Sequence, residues 1–244
     1  MKAIVYGSDG VMGNMLVDQV KKCNDIQLVA EITPLNNEGI KCLSQFEGEA
    51  DIVIDFSHPN NLPDIIQWGL KTKKPLLLCT TGYSESDLDL IKKASHKCPV
   101  LVAGNTSMGV NIVKIILEKM VSLLGDWDIE LLEKHHNRKK DSPSGTAREL
   151  LHILETNNVS LTQPIYGRGL GEFKRTKGDI GVHSIRAGTI AGEHSVLFAR
   201  DDEIIEIKHQ ALSRKIFVNG AIKAAEWLVQ QQAGFYTMRD MFQR

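Results

Sequence analysis

Short apolar runs alternate with amphipathic stretches along the first hundred residues. Five runs are rich in branched apolar residues and are predicted as strands, namely residues 3–7, 26–32, 51–57, 75–82 and 99–104. Residues 11–22 and 60–71, which lie between them, repeat apolar positions at helical spacing. Strands and helices that alternate in this way are typical of βαβ units, so we predict an α/β fold with a Rossmann-like, doubly wound parallel sheet.

The pattern changes after a long amphipathic helix predicted over residues 108–125. One more helix is predicted over residues 144–157, and four more strands at residues 128–136, 180–188, 193–200 and 203–210. The segment Val159 to Gly178 is rich in Gly, Arg and Lys and is predicted as a loop. A last helix over residues 216–231 has one apolar face, which we expect to pack on the first domain. Together these elements indicate a second, α+β domain with a mixed or antiparallel sheet.

The chain has 29 basic and 30 acidic side chains in 244 residues, so its charges nearly cancel. This balance lacks the field that partners of nucleic acid or of anionic membranes usually carry, and it favours a small-molecule partner. The four cysteines form no CxxC pair and have no ligand spacing with histidine, so we expect reduced thiols. Neither a signal peptide nor an apolar run of bilayer length is visible, which predicts a cytoplasmic protein with no membrane partner.

A glycine-rich turn follows the first predicted strand and opens the first predicted helix. Gly7, Gly10 and Gly13 have GxxGxxG spacing, whereas the commoner dinucleotide fingerprint is GxGxxG. Small residues allow a tight turn there, and the amides of a helix start favour a pyrophosphate. Glu31 ends the second strand, where an acid usually holds the ribose hydroxyls. A turn that merely needs small residues is the alternative, but the position in the first βαβ unit favours dinucleotide binding.

Two later strand ends, "CTTGYSE" at 79–85 and "AGNTSMG" at 103–109, carry small and hydroxyl residues. Open α/β sheets bind their ligands at the carboxyl edge, where these segments are expected to lie. We therefore predict that the cofactor contacts the glycine-rich turn, including Met12, and both strand ends. The predicted contacts at the strand ends are Cys79, Thr80, Thr81, Ala103, Gly104, Asn105 and Thr106.

The stretch "EKHHNRKKDSPSGTA", residues 133–147, concentrates titratable and basic residues. His135 and His136 project to opposite sides if they end a strand, so we expect them to have different roles. Lys139 supplies a nearby cation, which disfavours a second positive charge on an imidazole ring. A histidine tuned in this way can pass protons near neutral pH.

A helix start follows directly. Ser144 is predicted as its N-cap, and the amides of Gly145 and Thr146 lie in the first turn, where they favour an anion. The whole stretch thus offers a proton donor, a cation and an anion site, which suits a small substrate that carries carboxylates.

Other interpretations fit single features of this stretch, but they fit the whole combination less well than a catalytic site does. Adjacent histidines are often surface or structural residues, and a basic run is often only solvated. A zinc site needs a third ligand, and no metal pattern is formed by His152, His183, His194 and His209. A serine hydrolase needs a GxSxG turn, which "SPSGT" lacks. The joint occurrence with a dinucleotide turn favours the catalytic interpretation.

These residues resemble the 4-hydroxy-tetrahydrodipicolinate reductase family, formerly called dihydrodipicolinate reductases. "GSDGVMG" is similar to its GxxGxMG turn, and residues 133–147 are similar to its E-x-HHxxKxDxPSGTA signature. "IGVHSIRAGTIAGEHSVLFA" and "HQALSRKIFVNGA" extend the resemblance over essentially the whole chain. The resemblance implies a dinucleotide-binding domain over residues 1–105 and 215–244. It also implies a substrate-binding and oligomerisation domain over residues 106–214, and a homotetramer.

The resemblance further implies reduction of a cyclic dicarboxylate by NADH or NADPH, which yields tetrahydrodipicolinate on the diaminopimelate route to lysine. Hydride would go to ring carbon 4. His135 matches the proton donor, Lys139 matches the cooperating cationic acid, and His136 matches a substrate contact. Gly145 and Thr146 match the residues whose backbone amides hold a substrate carboxylate.

The sequence departs from the family pattern at several positions near the cofactor. Val11 stands where many members have Arg, and Ile32 follows Glu31 where some have a second Arg. Two cations that could hold a 2′-phosphate are therefore missing, which predicts a preference for NADH, with Lys41 as the residue to suspect if NADPH is preferred. Cys79 replaces the first Gly of the family's GTTG loop, and residues 167–178 form an altered version of another loop.

Two other functions remain open at this point. Another amino-acid-pathway dehydrogenase, such as an aspartate or diaminopimelate dehydrogenase, fits the fold but lacks a reason for the HHxxKxDxPSGT element. A catalytically silent nucleotide-binding sensor would have no need for both His135 and Lys139. Substrate-dependent oxidation of NADH or NADPH separates these functions.

Overall fold

The structure is a computed structural model, and it describes residues 1–34, 39–157 and 163–243. The strands are β1 (Lys2–Tyr6), β2 (Gln27–Ile32), β3 (Ile52–Asp55), β4 (Leu76–Leu78), β5 (Pro99–Val102), β6 (Asp128–His135), β7 (Pro164–Tyr166), β8 (Ile180–Arg186), β9 (Gly192–Arg200), β10 (Glu203–Ala211) and β11 (Gly234–Thr237). The helices are α1 (Val11–Val20), α2 (Leu62–Thr72), α3 (Glu85–Ser95), α4 (Met108–Leu124), α5 (Gly145–Asn157) and α6 (Lys215–Leu228). The chain clusters into two compact units, Met1–Met108 with Lys215–Arg244, and Gly109–Arg214.

The first unit is built on a six-stranded parallel sheet in the order β11-β5-β4-β3-β1-β2. Side chains of β1 alternate between the two faces, so Ala3 and Val5 pack in one apolar cluster and Ile4 and Tyr6 in the other. Helices α1 and α6 cover the first face, and α2 and α3 cover the second. The prediction of a doubly wound parallel sheet is confirmed.

The second unit contains a mixed sheet in the order β10-β9-β6-β8-β7. β6 pairs antiparallel with β9 and parallel with β8, so it lies at the centre of the sheet. Alternate residues of β6, such as Ile129 and Leu131, are buried against apolar side chains of α4 and α5. The same alternation places Glu133 and His135 on this face, at the end of the strand. The prediction of a second, mixed sheet is confirmed.

The sequence pattern does not predict two of the strands. β7 lies within the segment predicted as a loop, so that prediction is wrong for Pro164–Tyr166, while residues 159–162 lie outside the described part of the chain. β11 joins the edge of the first sheet beside β5 after the last helix. Both strands are short, and each depends on its ladder with a neighbouring strand, so periodicity alone carries little signal for them.

Candidate functional site

The glycine-rich turn directly follows β1 and holds three backbone segments close together. Gly7 has φ +81°, a conformation that favours glycine, and its amide donates to the carbonyl of Ile32 at 2.9 Å. A Cβ on Gly13 would overlap the carbonyl oxygen of Gly7 and would lie 2.9 Å from Cα of Ser8. The start of α1 can therefore approach the end of β1 only because both positions lack a side chain.

The start of α1 fits an anionic group such as a pyrophosphate. Gly10 is the N-cap in extended conformation, and no side chain caps the helix there. The first turn has no acidic residue and consists of Val11, Met12 and Gly13. Amides in a first helical turn lack intrahelical partners and carry partial positive charge, so this turn suits the diphosphate of a dinucleotide. Met12 is half-buried and packs on the apolar cluster of this unit.

Glu31 is the predicted ribose contact, and it lies in β2 one residue before the strand ends. Its carboxylate pairs with Nζ of Lys21 at 2.9 Å, with both side chains substantially exposed. Lys21 lies just beyond α1 and was not assigned a role from sequence, because only the fold brings it to β2. Val11 is exposed and uncharged, and Ile32 is fully buried, so neither side chain offers a cation to a ligand.

The predicted contacts on the loop after β4 differ in accessibility. Cys79 is buried with the apolar cluster, and its amide donates to the carbonyl of Asp55 at 2.8 Å. Thr80 is also buried, and its hydroxyl oxygen accepts from the amide of Ser57 at 2.9 Å. Thr81 is exposed. Of these three side chains, that of Thr81 is the one accessible to a ligand.

The buried carboxyl of Asp55, at the end of β3, ties two of these loops together. It accepts from the amide of Ser57 at 3.0 Å and from the hydroxyl of Tyr83 at 3.2 Å. Desolvation raises the pKa of Asp55 above its usual value. The loops after β3 and β4 are therefore joined by short side-chain bonds at the carboxyl edge of the sheet.

The loop after β5 brings one predicted contact next to the β4 loop. A Cβ on the exposed Gly104 would lie 3.6 Å from Cγ2 of Thr81, so these two positions are neighbours. Ala103 is buried, and the side chain of Asn105 accepts from the amide of Ser107 at 2.9 Å. Thr106 is buried, and its hydroxyl donates to the carbonyl of Phe217 in α6 at 2.6 Å. That hydroxyl joins the loop to α6.

His135 is the last residue of β6 and contacts the side chain of Glu133, two residues earlier on the same face. Nδ1 of His135 lies 2.6 Å from Oε2 of Glu133, whose side chain is fully buried. Burial tends to raise the pKa of this carboxyl, but hydrogen bonds from Arg186 and His135 outweigh it and lower the pKa of Glu133 to about 2. Glu133 is therefore ionised at neutral pH.

Arg186 makes a bidentate ion pair with Glu133. Its Nη2 and Nη1 lie 2.6 Å and 2.8 Å from Oε1 and Oε2 of the carboxylate. The parallel register of β6 and β8 aligns Arg186 with His135, which places the guanidinium beside the end of β6. Nη2 also donates to the carbonyl of Asp141 at 2.8 Å. One guanidinium thus joins the strand to the loop that follows it.

Lys139 lies in that loop and is paired with Asp141, with Nζ 2.7 Å from Oδ1. The sequence predicted this cation beside His135, whereas the group in contact with Nδ1 of His135 is the carboxylate of Glu133. Desolvation and nearby positive charges, that of Lys139 among them, lower the pKa of His136. The amide of Lys139 donates to the carbonyl of His136 at 3.1 Å, which keeps the two residues in one turn.

The predicted helix start is present at the beginning of α5. Oγ of Ser144 accepts from the amide of Ala147 at 3.1 Å, which confirms Ser144 as the N-cap. The amide of Ser144 donates to Oε1 of Glu133 at 3.1 Å, so the cap is attached to the carboxylate that contacts His135. Gly145 and Thr146 follow in the first turn and are partly exposed.

His194 completes this cluster. The antiparallel register of β6 and β9 places it opposite Glu133, and its ring meets that of His135 edge to face at 5.2 Å. Its Nε2 lies 2.9 Å from Oγ of Ser144. Burial lowers the pKa of His194 to about 4, so the ring is neutral at neutral pH. Neither His194 nor Arg186 could be assigned from sequence, because only strand register brings them to Glu133.

Metal-ligand clusters and membrane-spanning helices would indicate other classes of protein. Within residues 1–34, 39–157 and 163–243, no group of three or more His, Cys, Asp or Glu side chains could hold a metal ion. Across the same residues, every helix is too short or too polar to cross a membrane.

A doubly wound parallel sheet with an uncapped glycine-rich helix start, followed by a second unit that carries the His135–Glu133 pair, is typical of NAD(P)H-dependent oxidoreductases. Comparison with known proteins agrees with this class. Models for the N-terminus and the C-terminus of dihydrodipicolinate reductase match residues 1–106 and 109–242. The chain belongs to the dihydrodipicolinate reductase family.

Curated relatives and solved structures show the same similarity. A 4-hydroxy-tetrahydrodipicolinate reductase of Exiguobacterium sibiricum is 50% identical over 97% of this chain and 94% of its own length. One of Brachyspira hyodysenteriae is 40% identical over 99% of both chains. The fold is similar to a dipicolinate-bound dihydrodipicolinate reductase from Paenisporosarcina, with TM-score 0.79, 19% identity and 99% of each chain covered. An aspartate dehydrogenase of Thermotoga maritima shares the fold at TM-score 0.50 and 11% identity, over 93% of this chain and 96% of its own.

Proposed function

We propose that this protein reduces the cyclic dicarboxylate dihydrodipicolinate, formed from 4-hydroxy-tetrahydrodipicolinate, to tetrahydrodipicolinate with NADH or NADPH. The reaction belongs to the diaminopimelate route to lysine. One observation carries the proposal: His135, the Lys139 loop and the start of α5 are all attached to the Glu133–Arg186 pair. A proton donor, a cation and an anion site are thereby gathered in one unit of a chain that belongs to this reductase family.

The roles follow from the chemistry of the reduction. When bound, the reduced nicotinamide supplies a hydride, which ring carbon 4 of the substrate accepts. His135 donates a proton to the carbon or nitrogen that gathers electron density, and Lys139 supplies positive charge and a second acidic N–H. His136 contacts the substrate. The amides of Gly145 and Thr146 hold a substrate carboxylate at the positive end of α5.

A coupled assay tests the proposal. Freshly prepared dihydrodipicolinate precursor is added to the protein with NADH or NADPH, and nicotinamide absorbance is followed. We expect substrate-dependent oxidation, with aspartate as the matched substrate that gives none. Absence of oxidation with either cofactor would reject the reductase and favour a silent nucleotide-binding protein.

Paired variants test the roles of the basic residues. His135→Gln and Lys139→Gln should lower kcat by about a hundredfold to ten-thousandfold, since a positioned acid contributes that much. Lys140→Gln is the matched control, because Lys140 is exposed and is the immediate neighbour of Lys139. Equal losses in the Lys139 and Lys140 variants would show that only net charge matters.

The cofactor contacts are proposed from the carboxyl edge of the first sheet. The turn of Gly7, Gly10 and Gly13 would hold the diphosphate, and Glu31 would accept from the ribose hydroxyls. The loops after β4 and β5 would supply further contacts, through the side chain of Thr81 and the backbone around it. The full set proposed on these loops is Cys79, Thr80, Thr81, Ala103, Gly104, Asn105 and Thr106, with Met12 beside the glycine turn.

We infer a preference for NADH. The carboxylate of Glu31 would repel a 2′-phosphate, and the exposed side chain of Val11 carries no charge to offset it. The ammonium group of Lys21, whose Nζ lies 2.9 Å from Oε1 of Glu31, is a cation that could still bind a 2′-phosphate. Comparison of kcat/KM for the two cofactors decides, and a strong NADPH preference would overturn the inference. Lys21→Gln should leave kcat/KM for NADH unchanged, and Lys41→Gln would be tested next if NADPH were preferred.

We also propose that the protein is a homotetramer that associates through the face of the second sheet opposite α4 and α5. Leu132 and Leu197 lie on that face half-buried, and Ile185 and Ile204 are exposed there. Apolar side chains on an open sheet face favour association. Light scattering at micromolar concentration should give the mass of four chains, and a monomer or dimer would reject the proposal.

The two units are proposed to divide the work in a cytoplasmic enzyme. Residues 1–105 and 215–244 would bind the dinucleotide, and residues 106–214 would bind the substrate. Hydrogen exchange tests this division: NADH should protect amides near Gly10, whereas dipicolinate should protect amides near Gly145. Protection by NADH confined to the second unit would contradict it.

A further inference from the structure

A fully buried carboxylate, Glu133, lies behind His135, and the function proposed above gives it no contact with substrate or cofactor. Its two oxygens accept a side-chain hydrogen bond from Ser184 and four further hydrogen bonds. Oε1 accepts from Nη2 of Arg186 at 2.6 Å and from the amide of Ser144 at 3.1 Å. Oε2 accepts from Nη1 of Arg186 at 2.8 Å and is bonded to Nδ1 of His135 at 2.6 Å. Because a carboxylate offers about four lone-pair sites, the acceptor capacity of Glu133 is filled.

The ionisation of Glu133 decides where the proton of the His135 bond lies. With a pKa of about 2, Glu133 carries no proton at neutral pH. A carboxylate can only accept, so the proton between the two groups belongs to Nδ1 of His135. Nε2 is then the remaining ring atom, protonated in the imidazolium and an acceptor in the neutral ring.

Nε2 of His135 lies beside a residue that has no side chain. A Cβ on Gly192, the first residue of β9, would lie 3.1 Å from Nε2 of His135, so any larger residue would crowd it. The neighbouring ring of His194 meets His135 edge to face and is bonded through its own Nε2 to Ser144. Nδ1 is held by Glu133, whereas Nε2 faces a backbone with no side chain.

The same ion pair reaches the other parts of the proposed site. Arg186 donates to the carbonyl of Asp141, and the carboxylate of Asp141 holds Nζ of Lys139 at 2.7 Å. Glu133 accepts a hydrogen bond from the amide of Ser144, the residue before the first turn of α5. His135, the Lys139 loop and the start of α5 are therefore all attached to the Glu133–Arg186 ion pair.

We propose that the Glu133–Arg186 ion pair is the positioning group of this site: it keeps the proton on Nδ1 of His135, so that Nε2 is the atom that donates to the substrate. The proposal rests on the reductase function proposed above. In the step, the Nε2–H bond breaks, a C–H or N–H bond forms on the reduced substrate, and water reprotonates Nε2.

A purely structural role for the ion pair makes different predictions. A buried ion pair whose partner is removed loses stability whatever the site does. If the ion pair also orients His135, its loss should in addition change the tautomer of the His135 ring and lower the turnover of a folded variant. The test therefore reads the tautomer directly, in addition to activity and stability.

Glu133→Gln is the informative variant, because its amide must place an NH2 group at one of the two oxygen positions. The amide of Ser144 cannot become an acceptor, whereas a neutral imidazole can exchange its donor and acceptor nitrogens. The favoured orientation keeps oxygen at Ser144 and directs NH2 at Nδ1 of His135. The neutral ring is then protonated on Nε2, the wrong tautomer, as happens when an amide replaces the carboxylate behind a catalytic histidine.

Nitrogen-15 NMR of histidine-labelled protein reads this change without turnover. Signals of His135 are identified by their loss in His135→Gln. In the wild type the neutral ring should carry its proton on Nδ1, and in Glu133→Gln on Nε2. A wild-type ring protonated on Nε2 would overturn the proposal, and this spectrum decides even if Glu133→Gln does not fold. It is also independent of the reductase assay, so the two proposals can fail separately.

Turnover supplies the second readout. In folded Glu133→Gln we expect kcat to fall about a hundredfold, within the range that a positioned acid contributes. Glu130→Gln is the matched control, since Glu130 lies on the opposite face of β6 and is also bonded to arginine and histidine side chains. The control should stay within about threefold of the wild type, because it leaves the hydrogen bonds of His135 unchanged. A normal kcat in Glu133→Gln would refute the positioning role.

A steric variant completes the test. Gly192→Ala should lower kcat by about tenfold or more with the tautomer unchanged, since its Cβ would crowd the Nε2 edge of the His135 ring. An unaffected kcat in Gly192→Ala would show that Nε2 is not the donor.

Discussion

Gly13→Ala is expected to destabilise the protein although alanine is the better helix former. Gly13 lies in the first turn of α1, where alanine alone would stabilise a helix by up to about 1 kcal/mol. The new Cβ, however, would overlap the carbonyl oxygen of Gly7 and lie 2.7 Å from its carbon and 2.9 Å from Cα of Ser8. All three atoms belong to the backbone, so no side-chain rotation can relieve the overlap.

The magnitude follows from these opposing effects. Overpacking of a well-packed interior costs about 1–3 kcal/mol, and a clash with fixed backbone belongs at or above the upper end. After the gain in helix propensity, a net loss of about 2 kcal/mol remains. For a chain of this length, that corresponds to a fall in Tm of roughly 4–8 °C.

Thermal unfolding followed by circular dichroism measures the effect, with Gly10→Ala as the matched control. A Cβ on Gly10 would lie 3.3 Å from the same oxygen of Gly7, so a small shift accommodates it. Loss of a favoured N-cap residue should cost this control about 1 kcal/mol or less. A Gly13→Ala protein as stable as the wild type would refute the argument that close backbone approach requires this glycine.

Three further changes test other contacts. Gly181→Ala should cost about 2 kcal/mol, because its Cβ would overlap the carboxylate of Glu130, which cannot move away without losing its bonds to Arg168 and His183. Adding Glu130→Ala should remove most of that increment in a double-mutant cycle. The folded-state pKa of His194 is depressed from 6.5 to about 4. The neutral ring therefore contributes fully to stability above pH 6.5. As the pH falls toward 4, about 3 kcal/mol of the free energy of unfolding should be lost. Urea unfolding across that pH range should show a shallower loss in His194→Gln, and an identical slope would contradict the assignment. Thr106→Val should cost about 1 kcal/mol by removing the hydrogen bond from its hydroxyl to the carbonyl of Phe217, whereas the exposed Thr81→Val should cost little.

Local patterns were sufficient for most of the first unit. β1 to β5 coincide with apolar runs, and α1 follows the glycine-rich turn as predicted, because period-2 and period-3.6 patterns are local properties. The helix start at Ser144 was equally readable, since its capping residue is adjacent in sequence. β7 and β11 were missed because each is stabilised chiefly by a neighbouring strand.

The residues of the proposed site also divide into those that the sequence predicts and those that only the fold brings together. The sequence by itself determined the family, the glycine-rich turn and the histidine–lysine stretch, because each is a short motif with fixed spacing. Even the nearness of Glu133 to His135 follows from a spacing of two on a strand. Only the tertiary structure decided which partners these groups meet: parallel pairing brings Arg186 beside His135, and antiparallel pairing brings His194 opposite Glu133. Strand register joins residues some fifty positions apart, and no local periodicity encodes that register, so the ion pair behind the proposed proton donor became visible only in the fold.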